Sequence, residues 1–522
     1  MGIYLNPGEK LYERSINSEI YIDKTELLTY TNRYIYTENC FLAVSRPRRF
    51  GKTMAMNMLS AYYGKDCDSR DLFAPYKIAK DESFEENLNR YNVIQINMRD
   101  LFSQSDTVEK MVGKLTKRVV YELGEEFSQV RFFDETDLIQ CIEDVYLQTK
   151  VSFIFLIDEW DAVFRVKRIR EEEQTAYLDF LQNLLKDKVY VALAYMTGIL
   201  PIKKYGEHSA LNMFTEYSMT NQREFAEYTG FTEMEVQELC EKYDMSYEET
   251  KKWYDGYTLK GISVYNPRSV VLSMMGHDYD SYWTKTETYE ALKVYIEMNY
   301  DGLRDTIVEL MAGGRVVVDT RSFANDMVTF ATRDDVLTLL IHLGYLTYDF
   351  DTKEVWIPNQ EIMGEYATTL KVLGWSEVAE ALRQSDALLK ATLNQDALLV
   401  ECTLEKIHQS ETSIMAYNDE NALASVITIA YYTARKDYEL ARELAGGKGY
   451  ADISFLPRTG VASPAMIVEL KVDHSADAAI DQIRRKEYVE GLKGYRGKVL
   501  LVGITYDRKS KKHSCRIEEI TK

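Results

Sequence analysis

Between residues 40 and 200, short apolar runs at 41–44, 93–98, 151–157 and 189–196 alternate with long stretches of helical period. That alternation narrows the fold more than any other feature, because strands separated by helical crossovers build a parallel sheet covered by helices. The predicted class of this part is α/β. From about 225 to 375 the pattern turns mainly helical, as in EMEVQELCEKY and YEALKVYIEM. It closes with a predicted helix at 334–343, ended by Gly344, and two short strands, YLTYD and EVWIP, about a polar turn. A helix followed by a two-stranded ribbon suits a winged-helix module, and a structural lid without contact to DNA is the plainer reading. Beyond it the pattern is mixed again. A helix is predicted at 420–444, then a break at Gly446, Gly447 and Gly449, two strands, a helix at 476–492 and the strand KVLLVGIT.

A chain of 522 residues is long enough for several domains, each with its own core. Its net charge of −20 excludes a surface that is basic all over, so contact with nucleic acid would need local patches. Three sets of basic residues qualify: Arg46, Arg48 and Arg49; Arg165, Lys167, Arg168 and Arg170; Arg484, Arg485 and Lys486. Each is read first as a solvated face. The cysteines at 40, 67, 141, 240, 402 and 515 lie far apart, without zinc-ligand spacing, and are expected to be reduced and mostly buried. No run reaches the roughly 18 apolar residues of a membrane span, and MGIYLNPGEKLYERS has no apolar leader segment. A cytoplasmic protein without a membrane partner is expected.

FLAVSRPRRFGKT reads as strand, loop and helix start, and Gly51-Lys52-Thr53 matches the second half of the phosphate-binding motif G-x-x-x-x-G-K-[ST]. There, glycine lets backbone N–H groups approach phosphate, lysine supplies a positive point charge and the hydroxyl binds Mg²⁺. Arg46 and Pro47 stand where the first glycine and its neighbour belong. Arg49 and Phe50, just before Gly51, are grouped with Gly51, Lys52 and Thr53 as the nucleotide-binding residues. VSFIFLIDEWD is an apolar strand ending in adjacent acids: Asp158 is the candidate Mg²⁺ holder, directly or through water, and Glu159 the residue that positions attacking water. A buried strand capped by solvated acids is the alternative. Thr197, at the end of VYVALAYMTG, is a candidate γ-phosphate sensor or simply a turn residue.

The motifs YIDKT, SRPRRFGKT, FLIDEWD and TGIL resemble an AAA-ATPase-like family commonly fused to a PD-(D/E)XK nuclease domain. In that family an arginine-rich P-loop without its first glycine is typical. The resemblance runs from the N-terminus to the end of the chain and is least diagnostic in the middle. It implies ATP binding through Gly51, Lys52 and Thr53, with Asp158 and Glu159 on metal and water.

Towards the C-terminus, MIVELKV places Glu469 and Lys471 on one strand face, and YADISF presents Asp452 on another strand, with PRTG as a turn between. Pairing of the two strands would bring Asp452, Glu469 and Lys471 together. Two carboxylates suit a hard cation for phosphodiester cleavage, Asp452 and Glu469 being its ligands, and Lys471 would orient or help deprotonate water. A buried or rim salt bridge is the competing reading. The region is similar to the PD-(D/E)XK domain, and the resemblance implies an acidic residue on a preceding helix, Glu420 or Glu443, and a following helix bearing Gln482, with Tyr488. Lys448 is read as a surface lysine or a contact to backbone phosphate.

The resulting expectation is a P-loop domain over 1–225, a helical, winged-helix-like region over 226–375 and a restriction-endonuclease-like α/β domain over 376–522. The leading function is an ATP-binding, Mg²⁺-dependent nuclease cleaving DNA under nucleotide control. A nucleotide-dependent interaction switch with an inert nuclease fold is the second reading, and an ATP-dependent small-molecule transferase the last. Nucleic acid is the expected partner, and a homo-oligomer is left open.

Overall fold

The structure, a computed structural model, describes residues 2–166, 169–202, 211–221, 225–259, 261–283, 290–311, 313–327, 330–373, 376–408, 420–446, 448–492 and 494–522. Lys167, Arg168 and Gly447 therefore lie outside the described residues. The chain forms two compact units, one of Met1–Thr286 with Val317–Glu361 and the other of Glu287–Val316 with Ile362–Lys522.

In the first unit, β1 (Phe41–Ser45), β2 (Asn92–Asn97), β3 (Phe153–Asp158), β4 (Val191–Gly198) and β5 (Thr215–Tyr217) form one sheet of order β2-β3-β4-β1-β5. Its described pairings are all parallel. The four strands expected from the apolar runs are present, and β5 adds an edge that its short, polar TEY did not announce. β3 and β4 are buried along their whole length. That explains their unbroken apolar sequences, since a parallel sheet covered on both faces has no solvent side to fill with polar residues. The helix Lys52–Tyr63 packs Met56, Leu59, Tyr62 and Tyr63 into the core that holds Leu42, Val44, Leu156 and Leu193. Burying such a side chain is worth about 1.5–3 kcal/mol. Parallel strands also bring their C-terminal ends to one edge: Thr197 lies opposite Val44, and Asp158 opposite Asn97. In α/β sheets ligands bind at that edge.

The rest of this unit is mainly helical. Helices Glu233–Tyr243, Tyr247–Tyr254 and Pro267–Gly276 pack Val236, Leu239, Tyr254, Val270 and Met274 together. The expected helix and ribbon are present. Thr332 and Asp335 cap the start of Arg333–Leu343, and Gly344, at φ 88°, ends it in the left-handed region that glycine tolerates. Strands Thr347–Tyr348 and Glu354–Trp356 then pair antiparallel.

The second unit carries β6 (Tyr438–Gly446), β7 (Gly449–Pro457), β8 (Ala465–Val472), β9 (Lys498–Asp507) and β10 (Lys512–Thr521), ordered as in sequence. Only β8 and β9 run parallel, joined through the helix Ala476–Arg485; the other neighbours are antiparallel. That helix sets Ile480 and Ile483 against Ile467, Val499 and Leu501. It approaches so closely that a Cβ on Gly503 would stand 2.6 Å from the Ala476 carbonyl oxygen. Two predicted helices are corrected. The helix expected at 420–444 ends at Ala430, and 438–446 is strand β6, paired with β7 from Tyr438 opposite Pro457 to Gly446 opposite Gly449. YELARELAG is rich in helix formers, but the ladder with β7 overrides that propensity. The helix expected at 476–492 stops at Arg485, because Glu487 turns left-handed at φ 59° and a short 3-10 turn, Tyr488–Gly491, follows.

Candidate active sites

At the C-terminal edge of the first sheet the chain leaves β1 through Arg46 and Pro47 and enters the helix Lys52–Tyr63 at Gly51. Gly51 has φ 83°, and nothing lies within 4 Å of the Cβ it lacks. The glycine is thus required by backbone conformation rather than by crowding. Lys52 is 6% exposed and donates from Nζ to the carbonyl oxygens of Arg46 and Pro47, each at 2.8 Å. Burial lowers its pKa to about 8, against the pull of Glu159, Asp158 and Asp161. Arg46 is no solvated cation. Its side chain turns inward, with Nε 3.0 Å from Thr229 Oγ1 and NH1 2.9 Å from the Ser45 carbonyl and 3.0 Å from that of Tyr217. Burial lowers its pKa to about 10. An arginine can replace the first glycine here because its side chain supports the loop from within. Arg49 is exposed. Phe50 is buried against the Tyr257 ring at 5.3 Å, so its backbone is what it can offer a phosphate.

Asp158, at the end of β3, is the hub. Its Oδ2 accepts from Thr53 Oγ1 at 2.9 Å and Asn97 Nδ2 at 3.5 Å, and its Oδ1 from Thr197 Oγ1 at 2.5 Å and the Glu159 N–H at 3.0 Å. Burial raises its pKa, while the two threonine hydroxyls work to hold it down. The ends of three strands and the start of one helix therefore converge on a single carboxylate. Glu159 follows in a left-handed conformation at φ 53° and pairs with Arg165. Burial opposes its charge, but Arg165 and then Lys52 hold its carboxyl below the ordinary glutamate range. Arg165 also reaches Asp161 at 3.4 Å, and Asp161 accepts from the N–H groups of Ile199 and Leu200 at 3.1 and 2.9 Å. Asn97, Asp161 and Arg165 are members of the site that sequence reasoning missed. The i, i+4 spacing of Asp161 and Arg165 was a usable signal for that pair.

In the second unit β7 and β8 pair antiparallel, as PRTG predicts, and Asp452, Glu469 and Lys471 come together. Asp452 Oδ2 accepts from the Leu470 N–H at 2.7 Å. Lys471 Nζ lies 3.1 Å from Glu469 Oε1 and 3.3 Å from Glu420 Oε1. Glu420 opens the helix Glu420–Ala430 and reaches Lys471, whereas Glu443 sits on β6 rather than on a helix. Gln482 Nε2 donates to Glu469 Oε1 and lies 3.2 Å from Tyr488 Oη. Glu469 is 1% exposed, and burial with Asp452 beside it raises its pKa to about 7 despite Lys471. Burial also raises the pKa of Asp452. Burial disfavours the charge on Lys471, yet Glu469 and Glu420 raise its pKa, so the ammonium form is held.

The donor set fits a hard cation. Glu469 Oε2 is buried without a hydrogen-bond partner. Among the described residues no group of three or more His, Cys, Asp or Glu is arranged to hold a metal. Two carboxylates with retained waters is the coordination that Mg²⁺ accepts. The other basic residues are less telling. Arg170 is exposed, Arg484 is exposed and paired with Glu518, and Lys448 is exposed and 3.3 Å from Glu487. The cysteines are free, with only Cys402 exposed. Among the described residues no helix is long and apolar enough to cross a membrane.

Residues 10–206 match the AAA-ATPase-like family, described as a predicted AAA-ATPase, and residues 418–515 match a family of the PD-(D/E)XK nuclease superfamily. The chain joins an AAA-ATPase-like domain to a PD-(D/E)XK nuclease superfamily domain. The hub at Asp158 and the loop at Lys52 lie within the ATPase-like domain, and the Asp452, Glu469 and Lys471 cluster within the nuclease-superfamily domain. The chain is 22% identical over 512 residues to an uncharacterized protein in the vnfD 5′ region of Azotobacter chroococcum mcd 1, across 94% of this chain and 93% of that one. Among solved structures, the Walker-type ATPase PABY2304 of Pyrococcus abyssi is similar over 66% of this chain and 94% of its own, at 12% identity and a TM-score of 0.36. The ORC2 protein of Aeropyrum pernix, solved as ADPNP and ADP complexes, is similar over 69% of this chain and 98% of its own, at 9% identity and a TM-score of 0.31.

Proposed function

We propose that this chain is an ATP-binding, Mg²⁺-dependent nuclease that cleaves DNA under nucleotide control. The observation that carries the reading is Glu469: a buried carboxylate with one unpartnered oxygen, beside Asp452 and a protonated lysine. Leaving such a group unpaired is costly unless the site has a cation to bind. Asp452 and Glu469 are the residues that would hold Mg²⁺, which when bound supplies charge to a scissile phosphate and acidifies a water. Lys471, as an ammonium, orients the attacking water rather than removing its proton. Glu420 fixes Lys471, and Gln482 fixes the Glu469 carboxylate.

In the ATPase-like domain, Lys52 is the cation for the β- and γ-phosphates, with backbone N–H groups of Arg49, Phe50 and Gly51 around them. Thr53 and Asp158 would hold Mg²⁺, Thr197 would read the γ-phosphate, and Glu159 would orient water. The boundaries 1–225, 226–375 and 376–522 and a cytoplasmic location belong to the same proposal.

The test is cleavage of single- and double-stranded DNA with Mg²⁺ or Mn²⁺. Wild type cutting and Asp452→Ala falling to background supports the enzyme. A wild-type chain that binds ATP yet cuts nothing supports the second reading, a nucleotide-dependent interaction switch, which the net charge of −20 favours.

A further inference from the structure

The helix Val108–Glu126 turns Val108, Met111, Leu115, Val119 and Leu123 into the core. Its other face presents Lys110, Lys114, Lys117 and Arg118 to solvent, together with the ring of Tyr121, which is 58% exposed. With Tyr4 from the N-terminal segment, these residues line an open groove of about 740 Å³. From the helical rise the four cations span roughly 12 Å. They form this stripe in a chain of net charge −20. Lys110 is shared with Asp106 at 3.1 Å and Arg118 with Glu122 at 2.9 Å, but among the described residues Lys114 and Lys117 make no ion pair.

We infer that this groove binds single-stranded nucleic acid. Three features favour that occupant. The cations follow a line, as a phosphate backbone requires, rather than clustering round one anion. The exposed ring of Tyr121 stands at the groove beside the half-buried Tyr4, and such rings stack on unpaired bases, which a duplex hides. Gly113 lies between Lys110 and Lys117 in the middle of a 19-residue helix, and nothing stands within 4 Å of the Cβ it lacks. Glycine weakens a helix interior, and no neighbouring atom here requires it; its effect is to leave the groove floor open to a close approach. The inference deepens the nuclease reading and rests on nucleic acid being what the chain acts upon.

The test is fluorescence polarisation of a labelled oligothymidylate of about 20 nucleotides, long enough for a several-nucleotide track, added to the full chain in EDTA so that no cleavage intervenes. Lys114→Glu with Lys117→Glu is expected to weaken binding at least about tenfold and to flatten the slope of log affinity against log salt by roughly 1.4, two phosphate contacts at about 0.7 each. Tyr121→Ala is expected to weaken binding about tenfold while leaving that slope unchanged. The milder Lys114→Gln with Lys117→Gln guards against a misfolded variant and should weaken binding in the same direction. Equal affinity in wild type and these variants overturns the inference, as does binding of phosphatidylglycerol vesicles but not the oligonucleotide. Hydrolysis of bis(p-nitrophenyl) phosphate with Mn²⁺ separates the two readings. If it persists in a wild type that binds no oligonucleotide, the groove inference fails while the nuclease reading stands.

Discussion

Asp158, at the end of β3, and Glu469, inside β8, are both buried strand carboxylates, yet they are satisfied in different ways. Asp158 receives hydrogen bonds on both oxygens from neutral groups: two threonine hydroxyls, an asparagine amide and a backbone N–H. Glu469 has one oxygen shared by Lys471 and Gln482, and the other has no partner. The first arrangement is preorganised by the fold and is complete as it stands. The second is an unresolved concentration of negative charge, which binding a cation would relieve. On the proposed function both carboxylates would hold Mg²⁺, but only at Glu469 would the cation fill a place that the fold leaves without a partner.

Substitutions can sharpen or break that contrast. The largest effect is expected for Lys52→Ala, which removes the buried cation of the phosphate loop. ATP affinity should fall by about 2–5 kcal/mol, at least ~30-fold, as read by calorimetric titration; unchanged affinity would remove the loop from the nucleotide site. Next is Glu469→Gln. A carboxyl whose folded pKa is raised from 4.5 to about 7 favours the neutral form in the folded state. Its protonation is therefore a source of stability at acid pH that is lost as pH rises from about 4.5 to about 7. In EDTA at pH 8 the glutamine variant should be more stable than wild type, by on the order of 2 kcal/mol. At pH 4 the gain should vanish, and excess Mg²⁺ at pH 8 should reverse the order. Equal denaturation midpoints at both pH values would mean that the site carries no such strain.

Gly51→Ala should cost about 1–2 kcal/mol of backbone strain at φ 83° without a steric clash, measured as a lower thermal midpoint. Lys448→Ala should change stability by less than about 0.5 kcal/mol, since its pair with Glu487 is exposed.

Much of this arrangement is legible in the sequence, for identifiable reasons. The four apolar strands of the parallel sheet announce themselves because burial on both faces leaves long hydrophobic runs, unbroken in β3 and β4 up to their last residues and interrupted in β2 by the partly buried Gln95. Asp452, Glu469 and Lys471 can be grouped because strand alternation and the PRTG turn fix which residues share a face. What could not be read depends on long-range pairing or burial. Strand β6 looks helical because Glu, Leu, Ala and Arg favour helices, and only its ladder with β7 decides otherwise. Arg46 looks like a surface cation, since its partner Thr229 is known only once the chain has folded; at Arg165 the spacing offers Asp161, but the pairing with Glu159 is hidden in the same way. Asn97 gives no local signal at all; it matters because parallel pairing sets it opposite Asp158.

Coupling of the nucleotide site to the Glu469 site is tested most directly by the rate of cleavage of one labelled DNA in Mg²⁺, with and without ATP, by wild type and Lys52→Ala. ATP should change the wild-type rate, Lys52→Ala should cut at one rate whether or not ATP is present, and adding Asp452→Ala should abolish cutting in both. Cleavage by wild type that is indifferent to ATP would contradict the coupling, and cleavage that survives Asp452→Ala would contradict the assignment of the site itself.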